Sequence, residues 1–188
     1  MKTPYNEIVN IASIGSQTNP ISLNEILRKA NDEQLTPAAQ NKERVLFLGI
    51  DVQQDFMDNG ALGVPGAHGD VERMTQFIYN NMDKITNIAV SIDTHTPHQI
   101  FHPCWWIDEN GNNPAPYTPI TLADLDSGKY RAVIYPRQSR DYVEHLEKDG
   151  KKTLCVWSYH CLQGTSGAAF ENQFANMIYF HSVATVSY

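Results

Sequence analysis

The sequence predicts an α/β fold, a three-layer arrangement in which a mostly parallel sheet carries helices on both faces. The first observation is a set of apolar runs of strand length at residues 45–50, 85–92 and 153–157. The second is a helix-period apolar pattern between the first two runs. Strand, helix and strand in this order form the βαβ unit of parallel sheets.

Residues 1–43 are predicted to form an N-terminal extension that contains one short helix. Ser22 and Glu25 have the spacing of a capping box, in which side chains satisfy free backbone N–H groups at a helix start. Apolar residues then recur at helical spacing: Leu23, Ile26, Leu27 and Ala30. The main domain is predicted over residues 44–188.

Patterns within the main domain predict its remaining elements in order. A loop covers residues 94–129, a short strand 130–135 and a helix 139–150, which Ser139 would cap. A last helix is predicted over 168–176, and residues 177–188 are predicted to begin another strand.

Composition excludes several classes of function. The formal net charge is -7 and no basic cluster occurs, so nucleic acid is not an expected partner. No apolar stretch has the length of a signal peptide or a membrane span, so no membrane partner is expected. Three cysteines in 188 residues favour reduced thiols and a cytoplasmic location.

Ionisable residues follow the predicted strands, and they predict a site. Asp51, Asp93, His95 and His160 each lie within three residues of the end of an apolar run. Because ligands of open parallel sheets bind beyond the carboxyl ends of the strands, these side chains are expected to converge. Asp93, His95 and His160 would hold one divalent metal ion and leave an open position for catalysis. The alternative is that the histidines are ordinary surface residues.

Other residues are candidates for the walls of this site. His98 and His102 could add a metal ligand. Four aromatic side chains could form a pocket for a flat ring: Phe56, Phe101, Trp105 and Trp106. The last three flank the long loop and could instead only pin it. Asp51 could serve as a general base or as a local cap. Asp55 is predicted to shape its own loop, and residues 164–167 to form either a substrate-facing turn or only a tight turn.

Three segments resemble the isochorismatase-like cysteine hydrolases, and nicotinamidases above all. Residues 47–56 are similar to the opening strand and Asp-x-Gln-x-Asp-Phe motif of that family. Asp93-Thr94-His95 resembles its Asp-x-His metal motif. Residues 157–167 resemble Trp-Pro-x-His-Cys…Gly-Thr-x-Gly, with Ser158 in place of proline. The resemblance spans roughly residues 44–170.

The resemblance implies a metal-dependent amidohydrolase. It makes Asp51 the general base of a Cys-Asp-Lys triad, and Asp93, His95 and His160 the ligands of zinc, manganese or iron. The metal would anchor the pyridine nitrogen of nicotinamide, which is hydrolysed to nicotinate and ammonia through a cysteine thioester. A related small amide is an alternative substrate.

The family's lysine and nucleophilic cysteine are expected on elements that would follow the last residues of this sequence. None of Cys104, Cys155 and Cys161 matches the position of the nucleophile. The expectation is therefore an incomplete domain that lacks its C-terminal strands and is inactive alone. An apolar sheet edge would be exposed and would favour a homo-oligomer or another association.

Two other classes of function remain open. A non-catalytic metal- or ligand-binding member of the same family would account for the missing lysine and cysteine. A nucleotide-binding α/β domain is permitted by the βαβ pattern, but no G-x-G-x-x-G or P-loop motif follows the first strand.

Overall fold

The structure is a computed structural model that describes residues 1–186. It contains two compact units, of which the first comprises Met1–Asp93 together with the chain from Gly164 onward, and the second comprises Thr94–Gln163. The predicted α/β class is confirmed, because helices and strands alternate along the chain. The predicted boundary between residues 43 and 44 stays a prediction.

The described residues form five α-helices and six short strands. The helices are α1 (Leu23–Asn31), α2 (Ala67–Asn80), α3 (Leu122–Asp126), α4 (Pro136–Lys148) and α5 (Asn172–Ala184). The strands are β1 (Leu46–Gly49), β2 (Asn87–Val90), β3 (Trp106–Asp108), β4 (Pro119–Ile120), β5 (Tyr130–Ala132) and β6 (Leu154–Cys155). Among the described helices, none has both the length and the apolar content to cross a membrane.

The first unit contains the predicted βαβ element. β1 and β2 pair in parallel, from Leu46 opposite Asn87 to Gly49 opposite Val90, and α2 connects them. Helix α5 packs on this sheet, and a β-carbon added at Gly49 would lie 3.0 Å from Cζ of Phe174. Glycine therefore permits the close approach of helix and sheet. The core around them joins side chains from the N-terminal segment, α1, α2 and α5: Ile8, Ile26, Val71, Ile78, Phe174, Met177 and Phe180.

Helix α1 forms where the sequence predicts it, but the predicted capping box does not. The side chain of Ser22 makes no capping hydrogen bond. Glu25 instead pairs with Lys29 one turn later, at 2.9 Å, and this ion pair takes the carboxylate that the box requires. Burial of Ile26 and Ala30 therefore matters more for this helix than its cap.

The third predicted strand is shorter than expected and does not extend the parallel pair. β6 pairs antiparallel with β4 inside the second unit. The two backbone N–H groups that follow β6 also bond within the second unit. Val156 N–H donates to Thr118 O at 2.9 Å, and Trp157 N–H donates to Phe101 O at 2.7 Å. The described strands thus form three separate two-stranded sheets, one parallel and two antiparallel, where the sequence predicted one mostly parallel sheet.

The predicted strand after residue 176 is wrong for the described residues, because α5 continues to Ala184. Residues 187–188 lie outside the described residues. Side chains on several sides of α5 are buried, among them Met177, Phe180 and His181. A helix that is buried on several sides does not confine its apolar residues to one face, so the 3.6-residue pattern is weak, which explains the wrong prediction. The helix also begins later than predicted, at Asn172, where the carboxylate of Glu171 caps it.

The second unit has its own small core around β3 and β5, which pair antiparallel. Buried side chains from its strands and from α4 form this core: Trp106, Ile120, Ala132, Val143, Leu154 and Val156. Helix α4 begins at Pro136 and not after a Ser139 cap. Ser139 is buried within the helix, where its hydroxyl accepts a hydrogen bond from Trp105 Nε1 at 3.0 Å.

Candidate metal centre

Backbone pairing brings His95 and His160 together in the second unit. The N–H of His95 donates to Cys161 O at 2.9 Å, and the N–H of Gln163 donates to His95 O at 2.8 Å. This isolated parallel bridge fixes the two segments side by side. The two imidazole rings consequently lie with their centres 4.8 Å apart. His95 and His160 are therefore close in space although they lie 65 positions apart in sequence.

Asp93 completes a group of three with these histidines. Each of Asp93, His95 and His160 offers one potential ligand atom, and these atoms all lie within 4.8 Å of one another. Asp93 directly precedes the second unit, which begins at Thr94. One carboxylate and two imidazoles are a donor set that divalent transition metals accept. The three residues that the sequence singles out as ligands are thus close enough to share an ion.

The orientation of His160 suits metal binding. Its ring is 4% exposed, and Nδ1 lies 2.8 Å from the backbone carbonyl of Ser158. Because a carbonyl oxygen only accepts, Nδ1 carries the hydrogen, and Nε2 keeps its lone pair for a ligand. Such a hydrogen bond also fixes the ring, as partners of metal-bound histidines commonly do. The next residue, Cys161, is wholly buried and has a φ of 46°, so the chain turns sharply after the histidine.

Gln53 positions Asp93, a role that the sequence alone does not predict. Its side chain is 0% exposed. Gln53 Nε2 donates to Asp93 O at 2.8 Å, and Asp93 N–H donates to Gln53 Oε1 at 2.7 Å. The same Nε2 also donates to Ala168 O at 2.8 Å. A glutamine three residues after the apolar run 45–50 is the only sequence signal for this role, and it does not reveal the partner.

Asp51 lies in the first unit at the end of β1. The hydroxyl of Ser91, just after β2, donates to Asp51 Oδ1 at 2.5 Å, and the N–H of Asp51 donates to the same Oγ at 3.1 Å. Asp51 has a φ of 54°, a left-handed conformation that is costly for a non-glycine residue and is often found at functional sites. Asp51 and Phe56 both line a cavity of about 370 Å³ in this unit.

The structure separates the two further histidine candidates. His102 is wholly buried, and its ring centre lies 5.8 Å from that of His95 and 6.2 Å from that of His160. Burial lowers the pKa of His102, so its imidazole is neutral at pH 7. His98 is exposed and lines a different cavity, of about 600 Å³. His102 therefore lies near the candidate ligands, whereas His98 faces solvent.

The aromatic candidates lie in different surroundings. Phe101 and Trp105 line the same cavity as His98. Trp106 does not, because it is 0% exposed in the core of the second unit and its Nε1 donates to Ile100 O at 2.6 Å. Trp106 thus pins its loop, which is the alternative that the sequence leaves open. Asp55 packs against Gly167, where an added β-carbon would lie 2.0 Å from Asp55 Oδ2.

Comparisons with known proteins find similarity only among solved structures. No family model matches the chain, and no curated protein does. The chain is similar to the crystal structure of the yeast nicotinamidase Pnc1p bound to the inhibitor nicotinaldehyde, at 18% identity and a TM-score of 0.46. A second structure of yeast Pnc1p matches at 17% identity and a TM-score of 0.46. Each match covers 72% of this chain and 52% of the yeast chain.

A third similar structure is the nicotinamidase/pyrazinamidase of Acinetobacter baumanii. It matches at 20% identity and a TM-score of 0.42, over 71% of this chain and 47% of that one. The chain thus spans about half the length of the structures it matches. All three are described as nicotinamidases.

Proposed function

We propose that Asp93, His95 and His160 hold one divalent metal ion, zinc, manganese or iron, in the site of a nicotinamidase-like amidohydrolase. The observation that carries the proposal is the mutual distance of at most 4.8 Å between their ligand atoms. Three protein ligands leave a tetrahedral ion one open position, as catalytic zinc sites require. The hydrogen bond from His160 Nδ1 to Ser158 O supports the same assignment, because it leaves Nε2 as the ligand atom.

The proposed substrate is a small planar amide, nicotinamide or a related compound, which yields the acid and ammonia. When bound, the ion would hold and orient a ring nitrogen of the substrate. Asp51 is proposed as the general base, and the hydrogen bond from Ser91 holds its carboxylate in place. The thioester-forming cysteine that the resemblance implies is not assigned to Cys104, Cys155 or Cys161. We propose that this chain supplies the metal ligands, the general base and the substrate-binding residues of this hydrolysis.

Metal-dependent binding of nicotinamide tests this proposal. We expect the chain loaded with zinc or manganese to bind nicotinamide in isothermal titration calorimetry, and the chain treated with chelator not to bind it. The variant His160→Asn should lose this binding, since its asparagine offers no atom at the Nε2 position. Absence of metal-dependent binding in folded protein would contradict the proposal.

A second candidate is a metal-dependent binding protein without hydrolysis. The observation that favours it is the burial of Cys161, the cysteine nearest the candidate ligands in sequence, at 0% exposure. Ammonia release from nicotinamide separates the candidates. Metal-dependent release that is lost in Asp51→Asn would show hydrolysis by the chain itself, whereas binding with no release supports the non-hydrolytic function.

We also propose that the chain self-associates through the sheet of the first unit. Alternate residues of a strand share one face, and the side chains of Leu46, Leu48 and the following Ile50 are 61%, 57% and 66% exposed. Sedimentation equilibrium is expected to show a species larger than a monomer, which Leu48→Glu reduces toward the monomer. A wild-type chain that stays monomeric at high concentration would exclude self-association. We also propose a cytoplasmic location, which the low content of three cysteines in 188 residues favours and which cell fractionation would test.

A further inference from the structure

Four aromatic side chains line one cavity of the second unit. The cavity has a volume of about 600 Å³, and its aromatic walls are Phe101, Trp105, Tyr135 and Tyr142. Sites for small molecules commonly have a volume in this range and combine apolar walls with a few polar groups. None of the described residues that line the cavity is an aspartate, glutamate, lysine or arginine. The cavity therefore suits an uncharged ligand with a flat aromatic surface.

Two of these aromatic rings are held in place at the cavity. Trp105 Nε1 donates to Ser139 Oγ at 3.0 Å, and Ser139 is only 2% exposed. The ring centres of Trp105 and Tyr135 lie 6.3 Å apart. Tyr135 has a φ of 50°, which is costly for a bulky residue, although its side chain is 63% exposed. Because costly backbone conformations cluster at ligand-binding sites, this one supports a binding role for the exposed ring.

A buried polar atom in the cavity wall indicates the chemistry of the ligand. Gln99 lines the cavity, and its amide oxygen Oε1 is buried and has no hydrogen-bond partner in the structure. Buried acceptors are generally satisfied, and leaving one unpaired is unfavourable. The terminal torsion of a glutamine side chain is broad, so the amide can turn towards the cavity at little cost. A ligand that brings an N–H donor to this wall would satisfy Oε1.

The amide group of Gln99 also narrows the class of aromatic ring. A glutamine amide presents an acceptor and a donor side by side, and this pair matches the amine and the neighbouring ring nitrogen of adenine. A two-ring system also offers the aromatic walls more surface for stacking than a single ring does. A phosphate group is not expected in the cavity, because the lining contains no lysine or arginine among the described residues.

We infer that this cavity is a second binding site, which takes an uncharged aminopurine such as a nucleoside. The purine rings stack on Trp105 and Tyr135, and the amide of Gln99 binds the exocyclic amine. The candidate metal ligands Asp93, His95 and His160 do not line the cavity, so the two sites are distinct. The inference goes beyond the proposed hydrolysis and does not depend on it.

Equilibrium dialysis with adenosine as the probe tests this inference on the wild-type chain after treatment with chelator. We expect adenosine to bind without metal. Purine riboside, which lacks the exocyclic amine, should bind roughly tenfold more weakly, because it leaves the buried acceptor of Gln99 unpaired. No binding of adenosine at millimolar concentration, equal affinity for the two compounds, or binding that requires a metal ion would overturn the inference.

Tyr135→Ala and Tyr117→Ala form a matched pair of variants. Both tyrosines belong to the second unit, are exposed to similar extents, 63% and 57%, and have positive φ values, 50° and 69°. Of the two, only Tyr135 lines the cavity. We expect Tyr135→Ala to weaken adenosine binding roughly tenfold, within the range for loss of one stacking ring, and Tyr117→Ala to leave it unchanged. Equal affinities in the two folded variants would overturn the inference.

Gln99→Met tests the hydrogen bond separately from the stacking. Methionine keeps the length of the side chain and removes the amide, so this variant should bind adenosine and purine riboside with equal affinity. A folded Gln99→Met chain that still prefers adenosine tenfold would overturn the role of Gln99 in the inferred site.

Discussion

Replacing His160 by asparagine is expected to raise the dissociation constant for zinc by about 100-fold or more. The loss of an outer-shell partner alone costs roughly 10- to 100-fold, and this substitution removes a ligand. The asparagine amide still reaches Ser158 O, the partner of His160 Nδ1, so the local fold is retained. Only the atom at the Nε2 position disappears. Competition with a chromophoric chelator would measure the change in zinc affinity.

His145→Asn is the matched control for this substitution. His145 belongs to the same unit, and its Nδ1 also lies close to a backbone carbonyl, that of Asp141, at 2.6 Å. It is exposed on α4 and lies outside the group of candidate ligands. We expect its zinc affinity to match that of the wild-type chain. Equal affinities in all three proteins would remove His160 from the metal centre.

Trp106→Ala is expected to lower the free energy of unfolding of the second unit by about 3–5 kcal/mol, the usual cost of truncating a buried large aromatic residue. The indole is 0% exposed and belongs to the core that β3 and β5 share with α4. Truncation leaves a cavity and also leaves Ile100 O without its donor, 2.6 Å away in the native protein. Urea denaturation followed by far-ultraviolet circular dichroism would measure the loss.

Two further variants distinguish burial from the hydrogen bond. Trp106→Phe keeps an aromatic ring in the core and removes the N–H donor, so it should cost clearly less than the alanine variant. Trp157→Ala removes an indole that is 38% exposed in the native protein and should cost less than Trp106→Ala. If Trp106→Ala unfolded at the same urea concentration as the wild-type chain, the core described for the second unit would be wrong.

Local patterns explain how far the sequence predicted the fold. The apolar run that became β1, the helix-period pattern of α2 and the run that became β2 are each readable within a short window, and their parallel pairing followed. The strand predicted at 153–157 is shorter in the structure and covers only Leu154–Cys155. The next two backbone N–H groups bond to Thr118 O and Phe101 O, which lie far away in sequence, so a short window could not reveal this pairing. Helix α5 gave no amphipathic signal, since it is buried on several sides.

The candidate site, like the fold, could be predicted from the sequence only in part. Asp93, His95 and His160 could be proposed from residue type and position, because each follows an apolar run. The roles of Gln53 and Ser91 could not, because they depend on hydrogen bonds to residues about 40 positions away. The difference between the buried His102 and the exposed His98 was equally hidden, since both occupy one polar loop.

Anomalous diffraction at the zinc edge, from crystals grown with zinc, would test directly whether this chain holds a metal centre. We predict one strong peak bound by Asp93, His95 and His160, with ligand distances of about 2.0–2.2 Å. No peak at these residues in zinc-saturated crystals, or a peak only at other side chains, would contradict the proposal that this chain holds a metal centre.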